Sequence, residues 1–393
     1  MEYKRKKYLN LMIQLIDTNF IKTIVWLRRV WKSTLMRQFI NEVWVDSCLY
    51  INMEDLNNNE LLDYKKLHTH IIDNIAHKKY VLIDEIQLAP NRSLTINSLF
   101  TQYQWKVDFY ITWSNSDLLS SEISTQLRGR TYEIIVYPLR YYEYLEYFQK
   151  DKQKETWNNY IQEWGLISSY QLPNQIIKYD YIKNIISTVF IKDIIWRYKI
   201  KDVNLLQELL LFLISNIGNK TNISNILEYV NTKWYNTNYT TLGSYLQYLI
   251  AAQLVYEAQT RDIKWKKVFD RERKYYVCDH ILWYIYLGDT NQWFGKLYEN
   301  VVYLTLLYYW YQIFVWKQWT TEIDFIVQKW NWQIYLQVSY ILSDEKVIQR
   351  EYSSLQEVND NRPKYVLSGD ELLLKPIDGI IHEHIRNLES ILS

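Results

Sequence analysis

A chain of 393 residues can hold two or three domains with real cores, which excludes a peptide or a minimal stapled module. Lys+Arg 45 against Asp+Glu 44 leaves a formal charge of +1, so no global basic excess marks the chain for nucleic acid or an anionic membrane, and such a contact would need a local patch. Cys48 and Cys278 lie far apart in apolar runs and build neither a disulfide framework nor a cysteine zinc site, which makes a reducing cytoplasm the expected compartment. The opening MEYKRKKYLNLM has basic residues but no apolar h-region, so no signal peptide is expected. The most apolar stretch, residues 301–316, is interrupted by Thr305 and Gln312 and reads as a buried helix and strand, so no membrane span is expected.

Glycine is scarce and tryptophan abundant: 8 Gly and 17 Trp. Together they make about 6% of the chain, close to the roughly 7% usual for glycine alone. Some Trp residues stand where the backbone asks for glycine: Trp332 after Asn331 between two strand-like runs, and Trp113 at a strand end entering a polar turn. Two accounts are open. Either UGA codons mean glycine and are displayed here as tryptophan, or the protein is aromatic-rich and comes from an AT-rich genome. Only the first explains Trp at turns, and UGG at codons 26, 31, 113 and 332 would end it.

In chain order, a β-branched strand over residues 20–25 ends at Trp26. The loop Leu27, Arg28, Arg29, Val30, Trp31 follows, then Lys32, Ser33 and Thr34 open a helical pattern. With glycine at 26 and 31 the loop reads G-L-R-R-V-G-K-S, the phosphate-binding pattern. Its N–H groups wrap the β-phosphate with backbone angles and a closeness of approach that a Cβ obstructs. In that pattern Lys32 reaches the β- and γ-phosphates and the Ser33 hydroxyl ligates Mg²⁺. An isolated K-S-T would read as an ordinary strand-to-helix turn; the second half of the site decides otherwise. The run Tyr80-Val81-Leu82-Ile83-Asp84-Glu85 is a short apolar strand ending in two acids, which suits a strand facing a cation. Asp84 is expected to hold Mg²⁺ through water and Glu85 to act as the base on the attacking water. Further strands over residues 48–53 and 107–112 give the layout of the additional-strand P-loop ATPases. Asn115, with Ser114 second, is the expected water-orienting residue. Arg130, in Leu127-Arg128-Gly129-Arg130, is the candidate for the γ-phosphate of a neighbouring subunit, against the commoner reading of a solvated Arg.

The series V-W-L-R-R-V-W-K-S-T, Y-V-L-I-D-E-I-Q, Y-I-T-W-S-N-S-D-L-L-S-S-E and R-G-R-T-Y-E-I-I-V-Y-P-L resembles the bacterial and archaeal AAA-type ATPases that carry an uncharacterised C-terminal domain. The likeness runs nearly end to end and departs mainly at Trp26, Trp31 and Trp113, where the family has glycine. In the middle, a leucine-rich helical run over 204–218, short helices over 221–229 and 240–249, and a strand from 253 resemble a winged helix. DNA contact and a purely structural lid weigh equally there. The basic run Lys264-Trp265-Lys266-Lys267 on to Arg271 and Arg273-Lys274 reads as a wing touching phosphates or, more commonly, as a solvated hairpin. Toward the end, a helix with Glu299, a hairpin with Asp324 and a strand with Gln337 and Ser339 resemble the PD-(D/E)xK nuclease-like fold. Gln337 and Ser339 supply neither the second carboxylate nor the lysine of that chemistry. The domain is therefore expected to be an inactive shell, with Glu299 and Asp324 as remnants and Ile323, Phe325 and Ile334 in its core.

The expected architecture is α/β throughout: an AAA-type P-loop core over 1–150, a helical and winged-helix-like region over 151–285, and a nuclease-like α/β domain over 286–393. The expected function is ATP binding and hydrolysis with Mg²⁺, with DNA and a second copy of the chain as candidate partners. The alternatives are a non-hydrolysing nucleotide switch or scaffold, and a metal-dependent nuclease.

Overall fold

The computed structural model describes residues 3–26, 32–114, 127, 129–163, 165–261, 272–288, 294–318 and 321–392. They fall into two compact units. The first comprises Met1–Pro138, Leu166–Lys199 and Ala251–Gln253; the second comprises Leu139–Gly165, Ile200–Ile250 and Leu254–Ser393.

The first unit is built on a parallel sheet of β1 (Ile21–Trp26), β2 (Cys48–Asn52), β3 (Tyr80–Asp84), β4 (Asp108–Ser114) and β5 (Thr131–Ile135). The spatial order is β2-β3-β4-β1-β5. Every residue of β3 is buried, as a continuous apolar run requires when a parallel sheet is covered on both faces. Helices α1 (Lys6–Gln14), α2 (Lys32–Glu42), α3 (Tyr64–Asn74) and α4 (Arg92–Tyr103) belong to this unit. Its core joins Ile21, Val25, Ile51, Val81, Ile83, Leu99 and Ile111. Asp63 caps α3 by accepting from the Lys65 and Lys66 N–H groups. At the opposite end of the strands, Lys22 and Asp108 form a buried ion pair beside the Tyr110 ring. The Tyr110 hydroxyl donates to the Met12 carbonyl at 2.8 Å and ties α1 to the sheet.

The second unit carries an eight-stranded mixed sheet in the order β13-β12-β11-β10-β9-β7-β8-β6. Its strands are β6 (Lys220–Thr221), β7 (Val255–Arg261), β8 (Arg273–Val277), β9 (Gln312–Gln318), β10 (Thr321–Lys329), β11 (Trp332–Val338), β12 (Lys364–Ser368) and β13 (Ile380–His384). β9, β10 and β11 are antiparallel neighbours, β12 and β13 add parallel, and β7 pairs with β9 in parallel. The middle region therefore shares one sheet with the C-terminal strands. Taking up the numbering from the first unit, α5 (Tyr141–Phe148) and α6 (Lys154–Ile161) come first here, α7 (Gln175–Thr188) lies in the first unit, and α8 (Val203–Ser215), α9 (Ile223–Thr232), α10 (Tyr239–Ala251), α11 (Ile281–Leu287), α12 (Phe294–Tyr308) and α13 (Glu345–Gln356) follow. Residues 301–316 are the end of α12 and the start of β9, and Ile323, Phe325 and Ile334 are fully buried, as the sequence suggests. No helix among the described residues is long and apolar enough to cross a membrane.

Among the described residues, five Trp have left-handed backbone: Trp44 (φ 76), Trp105 (φ 66), Trp234 (φ 66), Trp310 (φ 59) and Trp330 (φ 55). A bulky side chain rarely adopts this region, whereas glycine does so freely. Four of the five lie just beyond a helix, after α2, α4, α9 and α12. At two of these ends the N–H groups close back in the pattern glycine usually terminates: Trp234 to Asn231 O and Tyr235 to Val230 O, Trp310 to Leu307 O and Tyr311 to Leu306 O. The fifth corrects the sequence reading of the hairpin. Lys329 pairs with Trp332, so the two-residue turn is Trp330-Asn331 and Trp332 is already strand. Only its first turn residue has positive φ, which is the glycine position of a type II′ turn, so the glycine-like site is 330. Trp113 is also not a turn residue: it lies within β4 and is 1% exposed.

Candidate functional site

The acids of the first unit sit at the tip of β3, where the strand stops because Glu85 turns into the left-handed region (φ 56, ψ 44). A non-glycine residue held there stores strain of the kind found at functional sites. Asp84, 1% exposed, is held by two hydroxyls: Tyr50 on β2 donates to Oδ2 at 3.1 Å, and Thr112 on β4 donates to Oδ1 in a short hydrogen bond. The same Thr112 oxygen accepts the Glu85 backbone N–H at 2.8 Å. One side chain thus fixes both acids, because β3 and β4 run in parallel register with Ile83 opposite Ile111. Burial, with Asp84 beside it, pushes the Tyr50 hydroxyl up to about 12, so it stays a donor.

Lys32 opens α2 and is 3% exposed. Its ammonium donates to the Trp113 carbonyl at 3.1 Å and lies 3.4 Å from Glu85 Oε1. Gln87 donates to the other Glu85 oxygen. The structure brings Lys32, Asp84 and Glu85 to one end of the sheet, with Thr34 in the same helix turn as Lys32 and Ser33. Leu27, Arg28, Arg29, Val30, Trp31, Asn115 and Arg128 lie outside the described residues, and of Trp26 and Ser114 only the backbone, the last residues of β1 and β4, is described. Arg130 is exposed and donates to Asn97 Oδ1 on α4 at 2.7 Å. The indole of Trp113 lies 5.1 Å from the Arg92 guanidinium, and its buried Nε1 has no hydrogen-bond partner among the described residues.

Sequence reasoning missed Thr112, Tyr50 and Gln87. The signal for Thr112 was a polar residue amid the apolar run of β4, but its role follows from strand order, which a single sequence does not state.

In the second unit Glu299 on α12 and Asp324 on β10 do come together, and around a cation the sequence reading did not assign. Lys274, 3% exposed, places its Nζ 2.8 Å from Glu299 Oε1, 2.7 Å from Glu322 Oε1 and 3.0 Å from Asp324 Oδ1. This corrects the placement of Lys274, which is buried and neither faces solvent nor reaches a phosphate, while Arg273, the first residue of β8 in the β7–β8 hairpin, pairs with Glu257 at 3.1 Å. Gln337 on β11 and Ser339 just after it bring neither lysine nor carboxylate, and the lysine and further carboxylate at the cluster are Lys274 of β8 and Glu322 of β10. Residues 262 to 271, with the rest of the basic run, lie outside the described residues. A register shift between Ile323 and Ile326 leaves Asp324 in a bulge, a common device for re-aiming one side chain. Asn300 zips α12 to β8 through both its amide groups on Val277. Gln337 accepts the Asp324 N–H at 3.2 Å and donates to Glu351 at 2.9 Å. Burial lifts Glu299 to about 7 in spite of Lys274, and Tyr276 donates to the same oxygen at 2.7 Å. Burial alone would lower Lys274; Asp324, Glu299 and Glu322 outweigh it and hold the ammonium well above its usual value.

Comparison with known proteins agrees with the first unit. Residues 18–145 match the model of an AAA domain, and residues 165–292 match a domain of unknown function (DUF8612). An uncharacterised protein of Haemophilus influenzae is 30% identical over 387 residues, 96% of each chain. One from Methanocaldococcus jannaschii is 29% identical over 362 residues, 87% of this chain and 79% of the other. Among solved structures, the Walker-type ATPase of Pyrococcus abyssi aligns with a TM-score of 0.46 at 14% identity, over 73% of this chain and 96% of that one.

Proposed function

The chain belongs to one family with its Haemophilus influenzae relative and carries an AAA domain over residues 18–145, and from that premise we propose that it binds ATP and hydrolyses it with Mg²⁺. The observation that carries this is the buried Lys32 ammonium between Glu85 and the Trp113 carbonyl, beside an Asp84 fixed by two hydroxyls. Lys32 leaves Glu85 for the β- and γ-phosphates when nucleotide enters, which frees the Glu85 carboxylate to take a proton from the attacking water. The first turn of α2 offers its free N–H groups to the phosphates. The donor set fits Mg²⁺, a hard cation that takes oxygen ligands: the Asp84 carboxylate accepts from two neutral hydroxyls, so Ser33 and Asp84 are the groups that would hold the ion. Mg²⁺, when bound, supplies neutralisation of the phosphate charge. Asn115 is the proposed orienter of the water, and Arg130 the residue offered to the nucleotide of a second copy in a homo-oligomer.

A phosphate loop with indoles at 26 and 31 has no room for its ligand, so the reading includes glycine at both positions. The five left-handed Trp residues, and the buried Trp113 Nε1 with no hydrogen-bond partner among the described residues, support UGA-encoded glycine at Trp positions of the displayed chain. Peptide mass spectrometry of the protein made in its own host reads glycine at 234 and 330 if this holds, and tryptophan there if it does not.

For the second unit we keep the winged-helix-like reading of α9, α10 and the β7–β8 hairpin, with duplex DNA as its candidate partner. The order α12, β9, β10, β11, α13, β12 supports a nuclease-like shell. Two buried free cysteines suit the cytoplasm. The ATPase reading is tested by Glu85→Gln in the chain with glycine at 26 and 31: ATP binding persists and phosphate release stops, while near-normal release removes Glu85 as base. No release from the unmodified glycine chain favours a non-hydrolysing switch.

A further inference from the structure

We propose that the Lys274 ammonium is the resident cation of the carboxylate cluster on α12 and β10, so that this nuclease-like site takes no divalent ion. The proposal deepens the reading of the second unit as an inactive shell and is independent of the ATPase reading.

The coordination available leaves no place for a metal. Lys274 Nζ has three donors and three carboxylate acceptors, Glu299, Glu322 and Asp324, all within 3.0 Å. The oxygens a metal would need are already engaged. Asp324 Oδ2 accepts the Val338 N–H at 3.0 Å while Oδ1 faces the ammonium. Glu299 Oε1 receives both Lys274 and the Tyr276 hydroxyl. Its Oε2 lies close enough to Gly218 that a Cβ on that residue would stand 2.4 Å from it. A catalytic divalent ion keeps open positions for water and phosphate, and a side wall this close offers none. Consistently, no group of three or more His, Cys, Asp or Glu among the described residues is arranged to hold a metal.

Lys220 reaches Glu322 Oε2 at 3.0 Å, so two ammonium groups face three carboxyls, and Glu299, lifted to about 7, is the one that can hold a proton. The cluster is close to neutral without any external ion. A divalent cation would have to displace Lys274 from the three acids that hold it, Asp324, Glu299 and Glu322, at the desolvation cost of an unpaired buried ammonium. The same ring of carboxylates screens Lys274 from a DNA phosphate.

The test uses the full chain with MnCl2 as probe and compares wild type, Asp324→Asn, Lys274→Met and the Lys274→Met/Asp324→Asn double variant. Any Mn²⁺ taken by the nucleotide site is common to all four and cancels. The expected result is an identical Mn²⁺ response in wild type and Asp324→Asn. Lys274→Met melts at least about 5 °C lower in EDTA and recovers in Mn²⁺, and the recovery is absent from the double variant. A wild-type Mn²⁺ response that Asp324→Asn removes overturns the proposal, as does Lys274→Met melting like wild type in EDTA. Should Lys274→Met not fold, the wild-type and Asp324→Asn pair decides alone. Plasmid cleavage in the same buffers reads the inactive-shell assignment separately from metal occupancy.

Discussion

Replacing Thr112 by valine keeps the volume of a fully buried strand residue and deletes one hydroxyl that serves both acids. Asp84 loses a charge-assisted hydrogen bond, worth about 1.5–3 kcal/mol, and the Glu85 N–H loses its acceptor at a cost of about 1–3 kcal/mol. If half of the combined loss falls on the geometry of hydrolysis, the turnover rate drops by roughly 10- to 100-fold at about 1.4 kcal/mol per decade. The Lys32 ammonium rests on the Trp113 carbonyl and Glu85 and not on the Thr112 hydroxyl, so ATP affinity should change little. The assay is steady-state phosphate release with ATP titration in the chain carrying glycine at 26 and 31, with melting followed in parallel. Thr112→Ser, which keeps the hydroxyl, should restore most of the rate. Thr112→Val turning over within twofold of the parent would refute the bridging role, and a loss that serine does not rescue would assign it to packing.

Trp234→Gly, at an exposed position with φ 66 beyond α9, should stabilise the literal Trp chain by about 1 kcal/mol in urea denaturation, whereas Trp157→Gly, in a buried aromatic cluster, should destabilise it. Burial first, then Glu143, raises Glu389 to about 7 against the hydrogen bonds from Tyr309 and the Tyr142 N–H and the attraction of Arg140. Its folded pKa exceeds the unfolded value near 4.5, so its cost to folding is absent below about pH 4.5 and full above about pH 7, on the order of 3 kcal/mol. Glu389→Gln should therefore flatten the fall in denaturation midpoint between pH 5.5 and pH 8, and an unchanged pH profile would show that Glu389 ionises normally.

What the sequence made legible was local. The run 80–85 is apolar and ends in two acids, which is enough to draw β3 and to put Asp84 and Glu85 at its tip. The helix with Glu299 and the strand with Asp324 are likewise written in contiguous patterns. What it hid depends on partners far along the chain. Thr112 serves Asp84 from 28 residues away through strand register, and Lys274 meets Asp324 from 50 residues away. Lys274 belongs to a basic run, and single-sequence reasoning assigns such runs to solvent; only the sheet shared by β8 and β10 buries it. The Trp anomaly was visible in composition, but its positions were not. Helix ends locate the glycine-like sites at 44, 105, 234 and 310, and the hairpin places the last at 330 and not 332.

With glycine at 26 and 31, the loop between β1 and α2 is expected to cradle ATP through Lys32. Equilibrium binding of ATP with Mg²⁺, measured side by side on that chain, its Lys32→Ala variant and the chain with tryptophan at both positions, tests it directly. Binding by the first alone is expected; equal affinity in the glycine and tryptophan chains, or binding that survives Lys32→Ala, would rule it out.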